Sequence, residues 1–295
     1  MNAIRYDRRN PPLPITTLTM PNLSLDQTFE ITTAALPFPE IDPIIFSIGF
    51  FHLRWYALAY LGGILLGWFM LKKITAKDGD PIGHPPLDSL INTGIIGIIL
   101  GGRLVYVVFY NPSYFLSHPE KILAVWEGGL AFHGGFLGMV IAIILTARKH
   151  HVSMIGLGDL IALVAPIGIF FGRLANFING ELYGRVTDVP WGVIFPRTNG
   201  EPRHPSQIYE ALLEGLLLFV ILVVAWRMGA RQRPGMLMGI FISGYGIARI
   251  TVENFRQPDQ QLGFIVSGVT MGQILSLPMV LIGAWLIQSA FKKQP

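Results

Sequence analysis

The chain reads as an all-α, polytopic integral membrane protein with seven transmembrane helices and a small cap between helices four and five. Three observations carry that reading. Of its 295 residues, 52% are hydrophobic and only 14% charged, whereas a soluble domain carries about 25% charged residues. Its mean hydropathy is +0.51. Apolar stretches of about 18 residues or more recur along it, the length a helix needs to cross a bilayer. The alternating segments of about ten residues that build membrane barrels are absent.

Residues 1–42 are polar and Pro-rich, with Arg5, Arg8 and Arg9 at the front, and read as a disordered extension. No apolar core follows those arginines closely enough to make a signal peptide, and Met20 offers an alternative start. The later part, residues 38–43, is expected at the membrane surface. Residues 43–293 then hold seven apolar spans, at 45–71, 89–110, 130–147, 157–178, 208–227, 235–254 and 268–290. Gly94, Gly97, Gly101 and Gly102 in the second span, and the glycines of the third and fourth, let helices approach closely in lipid.

Lys and Arg in the connections set the orientation. Lys72, Lys73 and Lys77 follow span one, Arg148 and Lys149 span three, Arg227, Arg231 and Arg233 span five, and Lys292 and Lys293 span seven. Basic ends stay inside, which puts the N-terminus out and the C-terminus in; Arg5, Arg8 and Arg9 argue weakly the other way from a distance. Residues 180–206 are then the longest loop and face outward. Their Pro190-Trp191-Gly192, Pro196, Pro202 and Pro205 suit a folded cap better than a slack linker.

Several function classes drop out. The net charge of +4 lies in short clusters at helix ends, so no nucleic-acid partner is expected. The chain has no cysteine, which excludes disulfides, thiolate metal sites and a cysteine nucleophile of its own. If the chemistry involves a thiol, the substrate brings it. Seven scattered histidines without an H-E-x-x-H pattern imply no metal and no cofactor.

What remains is a set of polar residues at membrane depth, where one charge costs roughly 2.5–3.5 kcal/mol on insertion scales. The run Gly172-Arg173-Leu174-Ala175-Asn176-Phe177-Ile178-Asn179-Gly180-Glu181-Leu182-Tyr183-Gly184 closes span four. On a continuing helix Arg173, Asn176, Phe177 and Gly180 fall within about 100° of each other. That face offers a guanidinium fork, an amide and a gap for a ligand, with Asn179 pointing elsewhere. An ordinary helix end, with a snorkelling Arg and an Asn-Gly stop, gives the same residues. His133, beside Gly134 and Gly135, has room for a ligand and can act as a general base. A core histidine bonded to a neighbouring helix is the alternative.

Tyr245, Arg249, Glu253 and Arg256 form a polar stripe within about 80° on the sixth span. Glu253 can pair with Arg249 or Arg256, leaving one arginine for an anion; a self-neutralised structural pair is the alternative. Arg103 shares a face with Tyr106 and Tyr110, next to Gly101-Gly102. Trp55 fits an interfacial aromatic belt. Ser206 fits a helix cap, with Glu210 in the first turns, better than a nucleophile. Arg103, Arg173 and Arg249 face few acids at their level, namely Glu181, Glu210 and Glu253. That imbalance implies an anionic ligand within the bilayer, and a phospholipid phosphate suits an arginine fork.

The run from Gly172 to Gly184 resembles the signature of the bacterial prolipoprotein diacylglyceryl transferase family. Other matching segments are Pro43-Ile44-Ile45-Phe46-Ser47-Ile48-Gly49, Trp55-Tyr56, Gly101-Gly102-Arg103, Phe132-His133-Gly134-Gly135, Arg203-His204-Pro205-Ser206-Gln207 and Phe255-Arg256-Gln257-Pro258-Asp259. They stand in the family's order over about 38–290. The resemblance implies transfer of the sn-1,2-diacylglyceryl group from phosphatidylglycerol to the lipobox cysteine of a prelipoprotein signal peptide, before signal peptidase II cleaves. A thioether forms and glycerol phosphate leaves. It implies a bacterial inner-membrane location, with membrane lipids around the chain, and seven spans with a periplasmic cap. It marks Arg173 and Arg249 as essential; they are expected to hold the phosphate. His133 is the expected base, aided by Tyr245. Tyr56, Arg103, Asn176, Glu181, Glu253 and Arg256 are expected to shape the lipid site, with Gly184 keeping its mouth open. A transporter of anionic lipid would use the same arginines, but no internal repeat is evident.

Overall fold

In a computed structural model, which describes residues 35–49, 51–76, 82–258, 264–266 and 268–292, the long apolar runs of the chain form helices. Outside the described residues lie 1–34, with Arg5, Arg8, Arg9 and Met20, and also Lys77, Asp259 and Lys293. In chain order the elements are β1 (Leu36–Pro37), β2 (Ile44–Ile48), β3 (Phe51–Arg54), α1 (Trp55–Thr75), α2 (His84–Phe109), α3 (Pro112–Ser117), α4 (Phe132–His150) and α5 (Met154–Ile178). β4 (Val193–Ile194), α6 (Ser206–Glu210), a π-helical turn (Ala211–Leu217), α7 (Leu218–Arg227), α8 (Met236–Val252), β5 (Phe264–Val266), β6 (Val269–Thr270) and α9 (Met271–Lys292) follow. Among the described residues six helices are long and apolar enough to cross a membrane: α1, α2, α4, α5, the continuous Ser206–Arg227 and α9. α8 is apolar but has only 17 residues.

Helix boundaries follow local chemistry. α2 starts at His84, five residues before the expected span, because Pro85 and Pro86 sit in its first turn, where a missing N–H is harmless. Ser153 caps α5, its Oγ accepting from Gly156 N at 3.1 Å. The expected first span at 45–71 is corrected: its first part, residues 45–54, belongs to an antiparallel hairpin of β2 and β3. Gly49 turns it at φ 58°, in the left-handed region that suits glycine, and Ser47 Oγ meets His52 Nδ1 across the strands at 2.7 Å. The described residues are mostly helical, as expected, with three short two-stranded sheets beside the helices. Trp55 is also more than a belt residue, for its Nε1 donates to Asp42 O at 3.1 Å.

Helix pairing follows glycine. α2 lies along α4, α8 along α9 and α1 along α5, while α5 also packs on the Ser206–Arg227 helix and on α8. At the α2–α4 seam Gly97 and Gly101 face Gly138 and Gly134, backbone against backbone. Gly134 and Gly135 therefore serve helix contact, and the expectation that they leave ligand room beside His133 is not met. α8 begins at Gly235, which has no side chain to cap it. Asp159 of α5 does so instead, its buried carboxylate accepting from Gly235 N at 2.7 Å and Met238 N at 2.8 Å.

Residues 35–42 belong to the same compact unit as the helices. β1 pairs in parallel with β4, inside the 180–206 segment. Phe38 stacks between Phe177 and Phe195, at 5.5 and 5.4 Å between ring centroids. Phe195 is buried.

The glycine seam predicts a contrast. Gly138→Ala drives a methyl into the Gly97 carbonyl, whereas Gly168→Ala points its methyl into open space. Overpacking costs about 1–3 kcal/mol, so Gly138→Ala is expected to lower the thermal midpoint in detergent by several degrees. Gly168→Ala is expected to hold or raise it, and equal midpoints would remove the seam's role.

Candidate active site

α5 ends with Arg173, Asn176 and Asn179. Its neighbours supply acid. Arg173 Nη1 lies 3.1 Å from Glu210 Oε2, and Nη2 lies 3.2 Å from Glu214 Oε2. Arg249 of α8 places Nη1 2.7 Å from Glu210 Oε1 and Nη2 2.6 Å from Glu253 Oε1. Just past α8, Arg256 Nη1 reaches the same Glu210 Oε1 at 2.9 Å. Glu210 thus meets three guanidinium groups, and the side chains of Glu210 and Glu214 have no exposure at all. Glu253 Oε2 accepts from Thr270 Oγ1 at 2.8 Å.

This network corrects two expectations. Arginine does not outnumber acid at this level: among the described residues Arg173, Arg249 and Arg256 balance Glu210, Glu214 and Glu253. The positive charge is fixed in place instead of being in excess, and no arginine is left over when Glu253 pairs. Glu210 is also not a helix-dipole partner near a Ser206 cap. Ser206 Oγ donates to Leu182 O at 3.1 Å and caps nothing. Glu214 was not anticipated from the sequence. The available signal was a pair of acids four residues apart in a 22-residue apolar helix. They start a π-helical turn, a distortion frequent at functional sites. Within it Gly215 lets the helix sit on the Phe170 backbone, where a Cβ would come within 2.8 Å of Cα.

Beside the cluster, Glu181 Oε1 accepts from Asn176 Nδ2 at 3.0 Å and from Asn179 Nδ2 at 3.1 Å. Asn179 therefore joins the site and does not point elsewhere. Gln207, itself buried, donates to Glu181 O at 2.6 Å. Tyr56 bonds Tyr60 hydroxyl to hydroxyl at 3.1 Å and lies close enough to Glu181 and Arg173 to feel their charges. Tyr245 lies among Glu214, Arg173, Arg249 and Glu210. Gly180 ends α5 at φ 63° and packs against Pro196 and Phe38, so it is no ligand gap. Open space on this helix lies further back: at Gly172, which is buried, no atom of the described residues comes within 4 Å of where a Cβ would be, and the same holds at Gly168.

Three further expectations move. Gly184 does not keep a mouth open: a Cβ there would come 2.5 Å from Phe255 O and 2.6 Å from His204 O. It is the point where three backbone segments meet, bridged to Arg256. Arg103 is buried but lies away from the arginine cluster's partners. Its guanidinium donates to the carbonyls of Lys121, Ile122, Gly128 and Gly129 at 2.6, 2.8, 2.5 and 3.2 Å, organising the chain between α3 and α4. Its donors are taken up by backbone, which corrects its expected place in the lipid site. His133 is exposed on the first turn of α4 and stacks edge-on with Phe132 at 5.7 Å. That excludes the core-histidine alternative.

Arg185, which donates to Arg256 O and Glu253 O, ties the 180–206 segment to the end of α8. Burial and that same Arg185 hold His204 below the usual imidazole range. It meets Tyr209 OH through Nδ1 at 3.1 Å. Chemically, the arrangement offers two arginines held rigid by buried carboxylates next to open space. Such cations stabilise an anion without reorganising.

Comparisons with known proteins place the chain in a family. The family model described as prolipoprotein diacylglyceryl transferase matches residues 43–289. A protein of Rhodospirillum rubrum named phosphatidylglycerol–prolipoprotein diacylglyceryl transferase is 52% identical over 264 residues, covering 88% of this chain and 96% of that protein. Proteins of the same name from Azospirillum brasilense and Methylocella silvestris are 52% and 48% identical, over 88% of this chain and 98% and 97% of their own length. The chain belongs to the prolipoprotein diacylglyceryl transferase family.

Proposed function

We propose that the protein transfers the diacylglyceryl group of phosphatidylglycerol to the lipobox cysteine thiol of prelipoproteins, giving a thioether and glycerol phosphate. The observation that supports it most is the pair Arg173 and Arg249, mostly buried and fixed on the fully buried Glu210 and Glu214. A phosphodiester there meets preset positive charge, and the charge that grows on the phosphate as the glyceryl C–O bond breaks is stabilised in place. α8 acts as the sixth of seven spans, the N-terminus faces out, the C-terminus faces in, and the 180–206 segment caps the periplasmic side of a bacterial inner membrane.

The thiol, with a pKa near 8.5 when unperturbed, needs a base. His133 fills that role, its exposed ring being reachable by a signal peptide arriving through lipid. Tyr245 assists at the arginine cluster, and Tyr56, Asn176 and Glu181 shape the lipid headgroup's surroundings. Glu253 and Arg256 act by holding Arg249 and Glu210. A lipid transporter would also need an arginine pair, but would leave no covalent product.

Purified protein incubated with phosphatidylglycerol and a lipobox peptide carrying one cysteine is expected to add the mass of a diacylglyceryl group to the peptide. Lipid movement without that gain would favour transport. Arg173→Lys keeps the charge but cannot bridge Glu210, Glu214 and a phosphate together. Its turnover is expected to fall about 10²-fold or more, the scale of losing one preorganised donor; full turnover would rule out phosphate recognition by Arg173. His133→Gln keeps hydrogen bonding but not basicity. A drop of about 10²-fold or more is expected, and near-normal turnover would leave it only a positioning role.

A further inference from the structure

Two carboxylates share one guanidinium here. Glu210 and Glu214, four residues apart across the π-helical turn, both end on Arg173, and both are fully buried. Glu210 is well matched, with Arg173, Arg249 and Arg256 around it. Glu214 is less so. Its Oε2 bonds Arg173. Each carboxylate keeps one buried oxygen without a hydrogen-bond partner among the described residues, but Glu210 Oε2 lies 3.1 Å from Arg173 Nη1, whereas Glu214 Oε1 has Arg249 Nη1 only at 3.7 Å.

The charges facing the pair come from every element packed on it. Arg173 comes from α5, with Arg249, Glu253 and the phenol of Tyr245 from α8 and Arg256 just beyond. Arg185 stands behind Glu253 and Arg256, and Glu181 stands past Arg173 on its two asparagines. Three arginines and three glutamates touch one another, so the described cluster is balanced before any ligand arrives. A phosphodiester adds one negative charge in a place where uncompensated charge is expensive. Neighbouring carboxylates relieve that load most easily, because one proton also removes their mutual repulsion.

We propose that the Glu210–Glu214 pair takes up one proton, carried on Glu214, when a monoanionic phosphodiester lipid binds, and passes it to the departing phosphate. The inference rests on the phospholipid reading above. The thiol proton goes to His133 and the sulfur forms its bond to the glyceryl carbon. The C–O bond to phosphate breaks, with its electron pair remaining on the phosphate oxygen. The resulting monoester dianion accepts the Glu214 proton and leaves as a monoanion. His133 gives the thiol proton to solvent, Glu214 is again ionised, the cluster is again balanced, and nothing is oxidised or reduced.

The test is binding of a soluble short-chain phosphatidylglycerol to the full protein in detergent, without peptide. Calorimetry in two buffers of different ionisation enthalpy counts the protons exchanged, and Kd is followed from about pH 7.5 to 9.5, above the imidazole range. One proton taken up per lipid is expected, with affinity weakening about tenfold per pH unit. In Glu214→Gln the proton count is expected to fall to zero and Kd to become flat with pH, while turnover drops. A wild-type count of zero, or a Glu214→Gln protein that keeps the wild-type slope, would overturn the proposal. The wild-type count stands whether or not the variant folds. Absence of any lipid binding would instead overturn the phospholipid reading, and this inference with it.

Discussion

Glu210 is the group on which the site depends. One buried carboxylate holds guanidinium groups from α5, α8 and the turn after α8. A buried charge without partners is among the most costly features a protein can carry, and removing one partner of a buried pair costs about 3–5 kcal/mol. The three arginines are therefore confined where Glu210 and Glu214 put them. Under the proposed function the same confinement gives the site its use, since arginines that do not need to be gathered when an anion arrives stabilise it at no reorganisation cost.

The rest of the fold serves that arrangement. The π-helical turn and Gly215 bring Glu210 and Glu214 onto α5. Asp159, at the opposite end of α5, anchors the start of α8 and so ties the two helices that carry Arg173 and Arg249. At the site end, Gly184 allows the 180–206 segment to meet the Phe255 and His204 backbones directly, and Arg185 secures that junction. Phe38 adds a third contact, pressing on Phe177 one residue beyond Asn176.

Hydropathy made the membrane helices legible, because each apolar run had to satisfy its own backbone in lipid. The hairpins before α1 and α9 were hidden, since Ile44–Ile48 is as apolar as a span and only Gly49 betrays the turn. In the site, Arg173, Asn176, Glu181 and Arg249 were legible as polar residues at membrane depth. Their partners were not. Helical periodicity places residues on a face but does not say which helix that face meets. Glu210 consequently read as a first-turn acid and Glu214 went unread, and Arg103 looked like a ligand group when its partners are backbone carbonyls on its own connection. Glycine was misread in the same way. Gly134, Gly180 and Gly184 admit neighbouring protein, while among the described residues Gly172 borders open space.

The central claim is that the carboxylate-fixed arginines form the phosphate site. It is tested most directly by a structure with phosphatidylglycerol bound, read for the position of phosphorus. The account predicts phosphate oxygens at hydrogen-bond distance, about 2.7–3.2 Å, from both Arg173 and Arg249, with Glu210 still holding the two guanidinium groups and the glyceryl chain leaving past Gly172. A phosphate bound elsewhere, with Arg173 and Arg249 touching only their glutamates, would contradict it.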